Sequence, residues 1–487
     1  MQKTAAIFIL LTFFGCAQET EDPIEVLPEI TRDWTEIKSD SVLNVLAENS
    51  PASYFIYRGR NMGYEYELLH EFAKDQNIRL QVTMVNDLDQ MTHLLDERKG
   101  DIIACNLTVT GERQKIIDFT VPHLRTHQVL IQKKPDNYRK LNKQALEDTL
   151  VTELEQLHGK TIHVWKNSSY YTQIRLLNDQ LELNMNIIAT DGDLITEELI
   201  RMVSDGEIDY TIADENVAKI DLRYYPNLDI SLKLSEQDSI AFGIRKTSPG
   251  LRDTLNAWLT AKENRSTIGE VKRKYFKRKN LSNKANQDYS SLNGNALSPY
   301  DEIIKRESKK IGWDWRLIAA IIYQESKFET WKVSWAGAFG IFQFMPATAT
   351  SYGISPSSSA EAQIKAGVRK LNKNYHQWLE EIDDSTECMK FTLATFNAGR
   401  AHLDDARALC TAHGLKDSIW DDNVAIMIRN LSKPTYYRNK VVKYGYCRGS
   451  ETYKYVIEII QRFEEYKAAF PDPDDNIELT VSANAQL

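Results

Sequence analysis

One glutamate of this 487-residue chain stands where a buried helix is predicted. Glu325 ends the run "LIAAIIYQE", seven residues after Ile318, four after Ile321 and three after Ile322, which places it on the apolar face of a helix. An ionised carboxylate is costly on such a face unless it is paired or protonated. Glu325 is therefore either a helix-end residue that reaches water or a carboxylic acid with a raised pKa, which could donate a proton in catalysis.

Length and composition limit the number of domains and the class of protein to which that glutamate belongs. The length allows two or three domains, and 42% hydrophobic and 26% charged residues are ordinary for soluble globular protein. A net charge of -9 argues against a general nucleic-acid binder. The chain has no HExxH motif and no cysteine spacing typical of zinc sites, so the sequence predicts neither a metal nor a cofactor. Sequence does not fix disulfide connectivity, and Cys410 with Cys447 is the pair we favour.

The N-terminal segment predicts export and attachment to a membrane. Lys3 precedes an apolar run from Ala5 to Phe14 that is too short to span a bilayer, and Gly15 and Cys16 follow it. This pattern resembles the lipobox of bacterial lipoproteins, which implies cleavage before Cys16 and lipidation of that residue. Ala17 at the next position favours the outer membrane, with the mature protein facing the periplasm. The alternative is a plain signal peptide with an incidental cysteine.

Two regions of different character follow. From about residue 42 to 276 short apolar strands alternate with helical patterns, which predicts a parallel-rich α/β domain. The strands are predicted at 41–49, 79–85, 101–109, 161–165 and 209–214, and two of the helices at 65–77 and 88–100. Residues 279–297 are rich in Asn and Ser and are typical of a linker. Helical patterns then dominate to about residue 470. Ser298 as N-cap and Pro299 as first helical residue mark their start.

Three ordered motifs carry a resemblance for the α/β region. They are "GYEYELLHEFA" at 63–73, "TGERQKIIDFTVPH" at 110–123 and "DGEIDYTIADENVA" at 205–218. Together they resemble the family-3 bacterial extracellular solute-binding proteins, the periplasmic amino-acid receptors. The resemblance implies two α/β lobes with a ligand cleft between them, the chain crossing to the second lobe near His127 and returning near Leu232.

The same resemblance assigns ligand contacts. Arg113 would bind an α-carboxylate, a role that suits arginine because it forms two parallel hydrogen bonds with a carboxylate. Asp214 would bind the α-ammonium group, and Thr108 and Ser169 fall where the family places hydroxyl ligands. His123 stands where the family often has tyrosine.

Four ordered motifs carry a second resemblance, for the helical region. They are "ESKF" at 325–328, "GAFGIFQFMPATA" at 337–349, "ATFNAG" at 394–399 and "ETYKYV" at 451–456. They resemble the soluble-lytic-transglycosylase family, whose fold is lysozyme-like and mostly helical. A receptor domain followed by this domain resembles the membrane-bound lytic transglycosylase F family. The resemblance implies six segments: signal peptide 1–15, tether 16–40, solute-binding domain 41–278, linker 279–297, lytic transglycosylase domain 298–470 and disordered tail 471–487.

The second resemblance implies cleavage of the β-1,4 bond between N-acetylmuramic acid and N-acetylglucosamine in peptidoglycan. Glu325 would act first as acid and then as base, and the sugar's C6 hydroxyl would close a 1,6-anhydro ring without water. Most glycosidases need a second carboxylate, and Glu451, the only further acid inside these motifs, has no nucleophile role in the family. Ser334, Gln343, Met345 and Asn397 would bind substrate. Tyr455 would bind the catalytic carboxyl. Phe396 replaces the usual tyrosine of "YNAG".

Three functions are consistent with the sequence. We favour a lytic transglycosylase whose activity responds to an amino acid or muropeptide bound in the first domain, with peptidoglycan strands and a membrane as its other partners. A lysozyme-type hydrolase on the same fold and a non-catalytic cell-wall sensor remain as alternatives. An uptake receptor would leave the catalytic motifs unexplained.

Overall fold

The computed structural model describes residues 32–85, 87–166, 168–190, 196–222, 225–277, 289–293 and 296–472. The signal peptide with Cys16, most of the predicted linker and the tail beyond residue 472 lie outside the described residues. Within the described ranges, none of the helices has the length and apolar character needed to cross a membrane.

The first half of the chain alternates strands and helices. Its elements are α1 (Trp34–Asp40), β1 (Val42–Ala47), β2 (Phe55–Tyr57), β3 (Arg60–Met62), α2 (Tyr64–Asp75), β4 (Arg79–Met84), α3 (Leu88–Asp96), β5 (Ile102–Ala104), α4 (Gly111–Ile116), β6 (Asp118–Phe119), β7 (Leu124–Thr126), β8 (Gln128–Lys133), α5 (Lys143–Glu147), β9 (Thr161–Trp165), α6 (Ser169–Gln180), β10 (Asn186–Thr190), α7 (Thr196–Asp205), β11 (Tyr210–Asp214), α8 (Glu215–Asp221), β12 (Leu228–Asp229), β13 (Asp238–Ile240), β14 (Gly243–Ile244), α9 (Pro249–Thr260) and α10 (Arg265–Phe276). The five strands and two helices predicted from sequence are all present, but the strand predicted at 101–109 extends only over Ile102–Ala104 and the helix predicted at 88–100 ends at Asp96.

These elements form two α/β lobes, which confirms the expected architecture. The sheet of lobe 1 has the order β4-β1-β5-β14-β6, and the sheet of lobe 2 has the order β10-β9-β11-β8-β12. The chain enters lobe 2 between β7 and β8, at His127 as predicted. It returns a few residues after Leu232, because the carbonyl of Leu232 still accepts a hydrogen bond from Leu130 of β8 at 2.9 Å.

The second half is helical, as expected. It contains α11 (Asp301–Lys309), α12 (Trp315–Ser326), α13 (Pro346–Ser351), α14 (Ala360–Leu379), α15 (Ser385–Ala398), α16 (Arg400–Ala412), a π-helical turn (Trp420–Val424), α17 (Ala425–Asn430), α18 (Pro434–Tyr437) and α19 (Gly449–Ala469). The predicted start at Ser298 and Pro299 is wrong by two residues. The carboxylate of Asp301 accepts hydrogen bonds from the backbone amides of Leu297 and Ser298 and from the Ser298 hydroxyl, so the chain turns before the helix begins.

Helix α12 is the most buried element of this half. The side chain of Asp314 caps its N-terminus by accepting a hydrogen bond from the backbone of Arg316 at 2.8 Å. Residues 317–322 of the helix are fully buried. The helix ends because Lys327 and Phe328 take left-handed φ angles of 57° and 66°. Glu325 is therefore in the last turn of a helix whose preceding turns are in the core.

Lobe 1 and the helical domain share one hydrophobic core. The turn between β2 and β3 places Gly59, with a φ of +75°, against Tyr323, Phe328 and Tyr466. The hydroxyl of Tyr466 donates a hydrogen bond to the carbonyl of Gly59 at 3.0 Å. Tyr323 and Phe328 lie two residues before and three residues after Glu325. The β2–β3 turn thus contacts the segment that carries the candidate catalytic acid.

Polar contacts extend this interface. Asn61 of β3 donates to the carboxylate of Glu465 at 2.9 Å, and Gln461 donates to the carbonyl of Leu80 at 2.6 Å. Residues 289–293 of the predicted linker lie along β2, where the hydroxyl of Ser291 accepts a hydrogen bond from the backbone of Ile56 at 2.9 Å. Strands of lobe 1, the linker and α19 are therefore joined directly.

The predicted disulfide between Cys410 and Cys447 is not formed. Cys105, Cys388, Cys410 and Cys447 are all free thiols, and the last three are buried. Burial raises the pKa of Cys410 to about 12 and that of Cys447 to about 11, so both remain protonated and pack as small apolar side chains.

Replacing Gly59 with alanine should loosen the interface between lobe 1 and the helical domain. A Cβ atom there would lie 2.6 Å from the ring of Tyr323, 2.7 Å from the hydroxyl of Tyr466 and 2.9 Å from the ring of Phe328. We expect Gly59→Ala to be less stable than Gly159→Ala by about 1–3 kcal/mol, measured by denaturant unfolding of the full chain. Gly159 is a matched control because its φ is +70° and nothing lies near its missing Cβ. Equal unfolding midpoints would contradict this packing.

Candidate functional site

Glu325 lies where α12 meets α19. Its Oε1 accepts a hydrogen bond from the hydroxyl of Tyr455 at 2.6 Å, and its backbone carbonyl accepts one from the ammonium group of Lys332 at 2.7 Å. Tyr455 is 6% exposed, whereas Glu325 itself is only partly buried. The carboxyl is thus fixed by a buried phenol and still reaches the protein surface.

Burial raises the pKa of Glu325 from its ordinary 4.5 to about 7. The hydrogen bond from Tyr455 and the charges of Lys370 and Lys332 act in the opposite direction and lower this pKa. Both charged groups that act on the carboxyl are cations. A carboxyl with a pKa near neutrality can donate a proton and then accept one, which is what a single residue needs if it serves as acid and then as base.

A hairpin loop after α12 carries two of the sequence-predicted substrate residues. The Nε2 of Gln343 donates to the carbonyls of Lys332 and Gly340 at 3.1 and 2.8 Å. The hydroxyl of Ser334 accepts a hydrogen bond from the backbone of Ala338 at 3.0 Å. Both side chains therefore hold the loop in shape, and the loop is tied to Glu325 through Lys332.

Glycine at position 340 is required by the packing of this loop. Gly340 has a φ of +79°, and a Cβ there would lie 2.1 Å from the Oε1 of Gln363. That same Oε1 accepts a hydrogen bond from the backbone of Ile341 at 2.8 Å. The Gly340 turn thus packs directly onto α14.

The other predicted residues of this half differ in their exposure. Asn397 is exposed, and its Oδ1 accepts a hydrogen bond from the hydroxyl of Thr452, one helical turn before Tyr455. Met345 is 48% exposed. Phe344 and Phe396 are buried and belong to the core. The phenylalanine at 396 contacts Lys370, whose ammonium group lies 3.8 Å from its ring centre.

The hairpin loop also exposes apolar side chains. Trp331, Val333 and Trp335 are 75%, 66% and 89% exposed, and they alternate with the less exposed Lys332 and Ser334. The ring of Trp335 lies 5.9 Å from the guanidinium of Arg448, at the start of α19.

The predicted ligand residues of the first half meet in a cleft between the two lobes. Thr110 caps α4 by accepting a hydrogen bond from the backbone of Arg113, and the guanidinium of Arg113 donates to the carbonyl of Thr108 at 2.9 Å. Across the cleft, the hydroxyl of Ser169 in lobe 2 donates to the hydroxyl of Thr108 at 3.3 Å. Burial lowers the pKa of Arg113, which a ligand carboxylate would compensate.

Asp214 lies at the end of β11, fully buried beside this cleft. Its Oδ2 accepts hydrogen bonds from the hydroxyl of Tyr170 at 3.0 Å and from Asn106 of lobe 1 at 2.7 Å, while its Oδ1 has no partner among the described residues. Burial raises its pKa to about 7. Asn106 also accepts a hydrogen bond from Asn216 of lobe 2 at 2.7 Å, so the lobes already touch.

His123 is not part of this cleft. Its Nε2 lies 3.0 Å from the Oε1 of Glu65, and its ring packs against Phe242 in the interior of lobe 1. No cluster of three or more His, Cys, Asp or Glu side chains suited to a metal occurs among the residues the structure describes.

Sequence reasoning missed several side chains that the fold brings to these sites. Lys370 faces Glu325 from α14, and burial lowers its pKa. Glu48, Asn106, Tyr170 and Glu197 line or border the cleft of the first half. The residues around Lys370 in the helical sequence give no signal for catalysis. Glu48 directly after a buried strand is a signal that could have been used, since parallel strands end at ligand sites.

Comparison with known proteins agrees with the two-part structure. The model for bacterial extracellular solute-binding proteins, family 3, matches residues 43–278, and the model for the transglycosylase SLT domain matches residues 302–416. A membrane-bound lytic murein transglycosylase F of Desulfosudis oleivorans is 29% identical over 436 residues, which cover 89% of this chain and 91% of that protein. The protein of the same name from Pseudomonas fluorescens is 30% identical over 434 residues, covering 88% and 85%.

The raised pKa of Glu325 predicts a pH-dependent difference in stability between the chain and its Glu325→Gln variant. The folded protein holds a proton at this carboxyl up to about pH 7, whereas the unfolded chain releases it near 4.5. Wild-type stability should therefore fall as pH rises from 4.5 to 7, relative to the variant. We expect Glu325→Gln to be more stable at pH 8 by up to about 3 kcal/mol and nearly equal at pH 4, measured by calorimetry. A difference that does not change with pH would contradict the raised pKa.

Proposed function

Because the chain belongs to the membrane-bound lytic murein transglycosylase F family, we propose that it cleaves the β-1,4 bond between N-acetylmuramic acid and N-acetylglucosamine in peptidoglycan. Glu325 protonates the bridging oxygen, and the bond to C1 of the muramic acid breaks to leave an oxocarbenium ion. The resulting carboxylate then removes the proton of the C6 hydroxyl, and that oxygen attacks C1. The product carries a 1,6-anhydro ring, and no water is consumed.

The observation that carries this proposal is the environment of one carboxyl. Glu325 is hydrogen-bonded by Tyr455, has a pKa of about 7, and is influenced by two lysines. A hydrolase of the common kind needs a second carboxylate to hold a water or to act as nucleophile. The charged groups acting on Glu325 are cations, which supports ring closure by the substrate's own hydroxyl. We assign sugar binding to Ser334, Gln343, Met345 and Asn397.

We also propose that the enzyme is a lipoprotein of the outer membrane that faces the periplasm. The support is the sequence around Cys16, which lies outside the described residues, and the membrane-bound relatives. A lipid at Cys16 would keep the catalytic domain near its polymeric substrate.

The first domain supplies regulation in this proposal. An amino acid or muropeptide binds with its carboxylate at Arg113 and its ammonium group at Asp214, while Thr108 and Ser169 contact it from the two lobes. Ligand binding changes the relative position of the lobes. Lobe 1 touches Tyr323 and Phe328 through the β2–β3 turn, so a lobe movement can alter the last turn of α12. Such coupling requires that the ligand binds one state more tightly than the other.

Replacing Glu325 tests the chemistry. Glu325→Gln keeps the shape of the side chain but cannot act as acid or base, so turnover of purified peptidoglycan should fall by about 10³-fold or more while binding to the polymer is retained. Glu361→Gln, an exposed residue of the same domain, is the matched control and should keep activity. Full activity of Glu325→Gln would remove this residue from the mechanism.

The mass of the products separates the two reactions that this fold could perform. We expect muropeptides that end in an anhydro sugar, which are lighter by one water than the reducing ends made by a hydrolase. Mass spectrometry of the digest distinguishes them directly. Reducing ends as the sole product would assign the chain to lysozyme-type hydrolysis.

Regulation is tested by measuring the cleavage rate with and without ligand. A panel of free amino acids and purified muropeptides should contain at least one compound that changes the rate by about 5- to 150-fold. Arg113→Ala should abolish that response, whereas Arg139→Ala, on a surface turn of lobe 2, should keep it. A bound ligand that leaves the rate unchanged would contradict the coupling.

A further inference from the structure

The cleft between the lobes holds more carboxyl groups than a simple amino acid requires. Arg113 and Asp214 match one carboxylate and one ammonium group of a ligand. Glu48, directly after β1 in lobe 1, and Glu197, in the first turn of α7 in lobe 2, line the same cleft. Once Arg113 and Asp214 bind the ligand's α-carboxylate and α-ammonium groups, neither of these two carboxyls has a ligand group assigned to it.

The two carboxyls approach each other from opposite lobes. Ser50, two residues after Glu48, forms a hydrogen bond with the side chain of Glu197. The Oε2 of Glu197 is buried and has no hydrogen-bond partner among the described residues. Burial raises the pKa of both carboxyls, and the charge of Glu197 raises that of Glu48 further. Two such groups cannot both ionise cheaply unless a cation comes between them.

Among the described residues, none of the charged groups that act on these two carboxyls is a cation. Glu65 adds negative charge beside Glu48 and contacts His123 on its other side. Asp221, buried in α8, lies near Glu197, and the protonated Cys105 and Tyr170 lie near Glu48. Arg113 acts on Cys105 and Asp214, at the part of the cleft where a ligand carboxylate would bind.

We propose that the ligand of this cleft is an amino acid with a second cationic group on its side chain. Its α-carboxylate binds Arg113, its α-ammonium group binds Asp214, and its side-chain ammonium group lies between Glu48 and Glu197. This inference rests on the proposed amino-acid clamp and adds the class of ligand. The bound cation satisfies the free Oε2 of Glu197 and lets both carboxyls ionise, so binding near neutral pH releases protons.

A pair of ligands that differ only in that cation tests the inference. L-lysine and L-norleucine have the same carbon chain, and only lysine carries the terminal ammonium group. Isothermal titration of the full-length protein should show lysine binding at least about 30-fold more tightly than norleucine. Glu48→Gln and Glu197→Gln should each weaken lysine binding by about 10- to 100-fold and leave norleucine binding unchanged. Glu155→Gln, an exposed residue of lobe 2, is the matched control and should change neither.

Proton release gives a readout that a merely structural role would not alter. Lysine binding measured at pH 7 in two buffers with different heats of ionisation should release protons in the wild type and fewer in either glutamine variant. The melting temperature of each variant shows that it is folded.

Each other outcome overturns a defined part of the proposal. Norleucine binding as tightly as lysine, or lysine binding unaffected by both variants, overturns the side-chain cation site and leaves the clamp intact. If neither ligand binds and no other amino acid does, the clamp itself fails and this inference fails with it. Binding of CaCl₂ that is lost in both glutamine variants assigns the two carboxyls to a metal and also overturns the inference.

Discussion

The hydrogen bond between Tyr455 and Glu325 is the interaction on which the catalytic half depends. It joins the last turn of α12 to the second turn of α19, two helices that pack against each other although 130 residues separate the two side chains. Burial pushes the carboxyl towards its neutral form, and the phenol with two lysines pulls it back. The opposing effects leave the pKa of Glu325 at about 7. A deeper or a more open site would hold the carboxyl permanently protonated or permanently charged.

The same helix end belongs to the interface with lobe 1. Tyr323 and Phe328 flank Glu325 and also enclose the β2–β3 turn, so the Glu325 side chain and the first domain are supported by one continuous core. The coupling that we propose between the two domains therefore requires no flexible segment to carry it. In that proposal, a small displacement of the turn would be transmitted by direct contact, because packed interiors respond to such shifts by discrete rearrangement.

Much of this arrangement could be predicted from the sequence, where the signal was local. The apolar run before Glu325 predicted a buried helix, and ordered motifs predicted both domains. Sequence patterns did not predict contacts between residues that are far apart in the chain. Nothing in the sequence around Lys370 indicates that it faces Glu325. The hydrogen bond between Asn61 and Glu465 joins residues that are 404 positions apart. The helix start at Asp301 was missed because its carboxylate, rather than Ser298, organises the turn.

The enclosed turn at Gly59 also has a consequence for how such proteins are assembled during evolution. Cutting the chain at the linker would leave the helical domain with a pocket of bare aromatic rings open to water, a surface that promotes self-association. Domains that are joined only by a tether can be separated again by reversing the gene fusion. Here, lobe 1 and the helical domain each cover apolar surface of the other. A recombination event that exchanges the first domain must therefore also supply a β2–β3 turn that packs against Tyr323, Phe328 and Tyr466. The two domains are then inherited together as one unit.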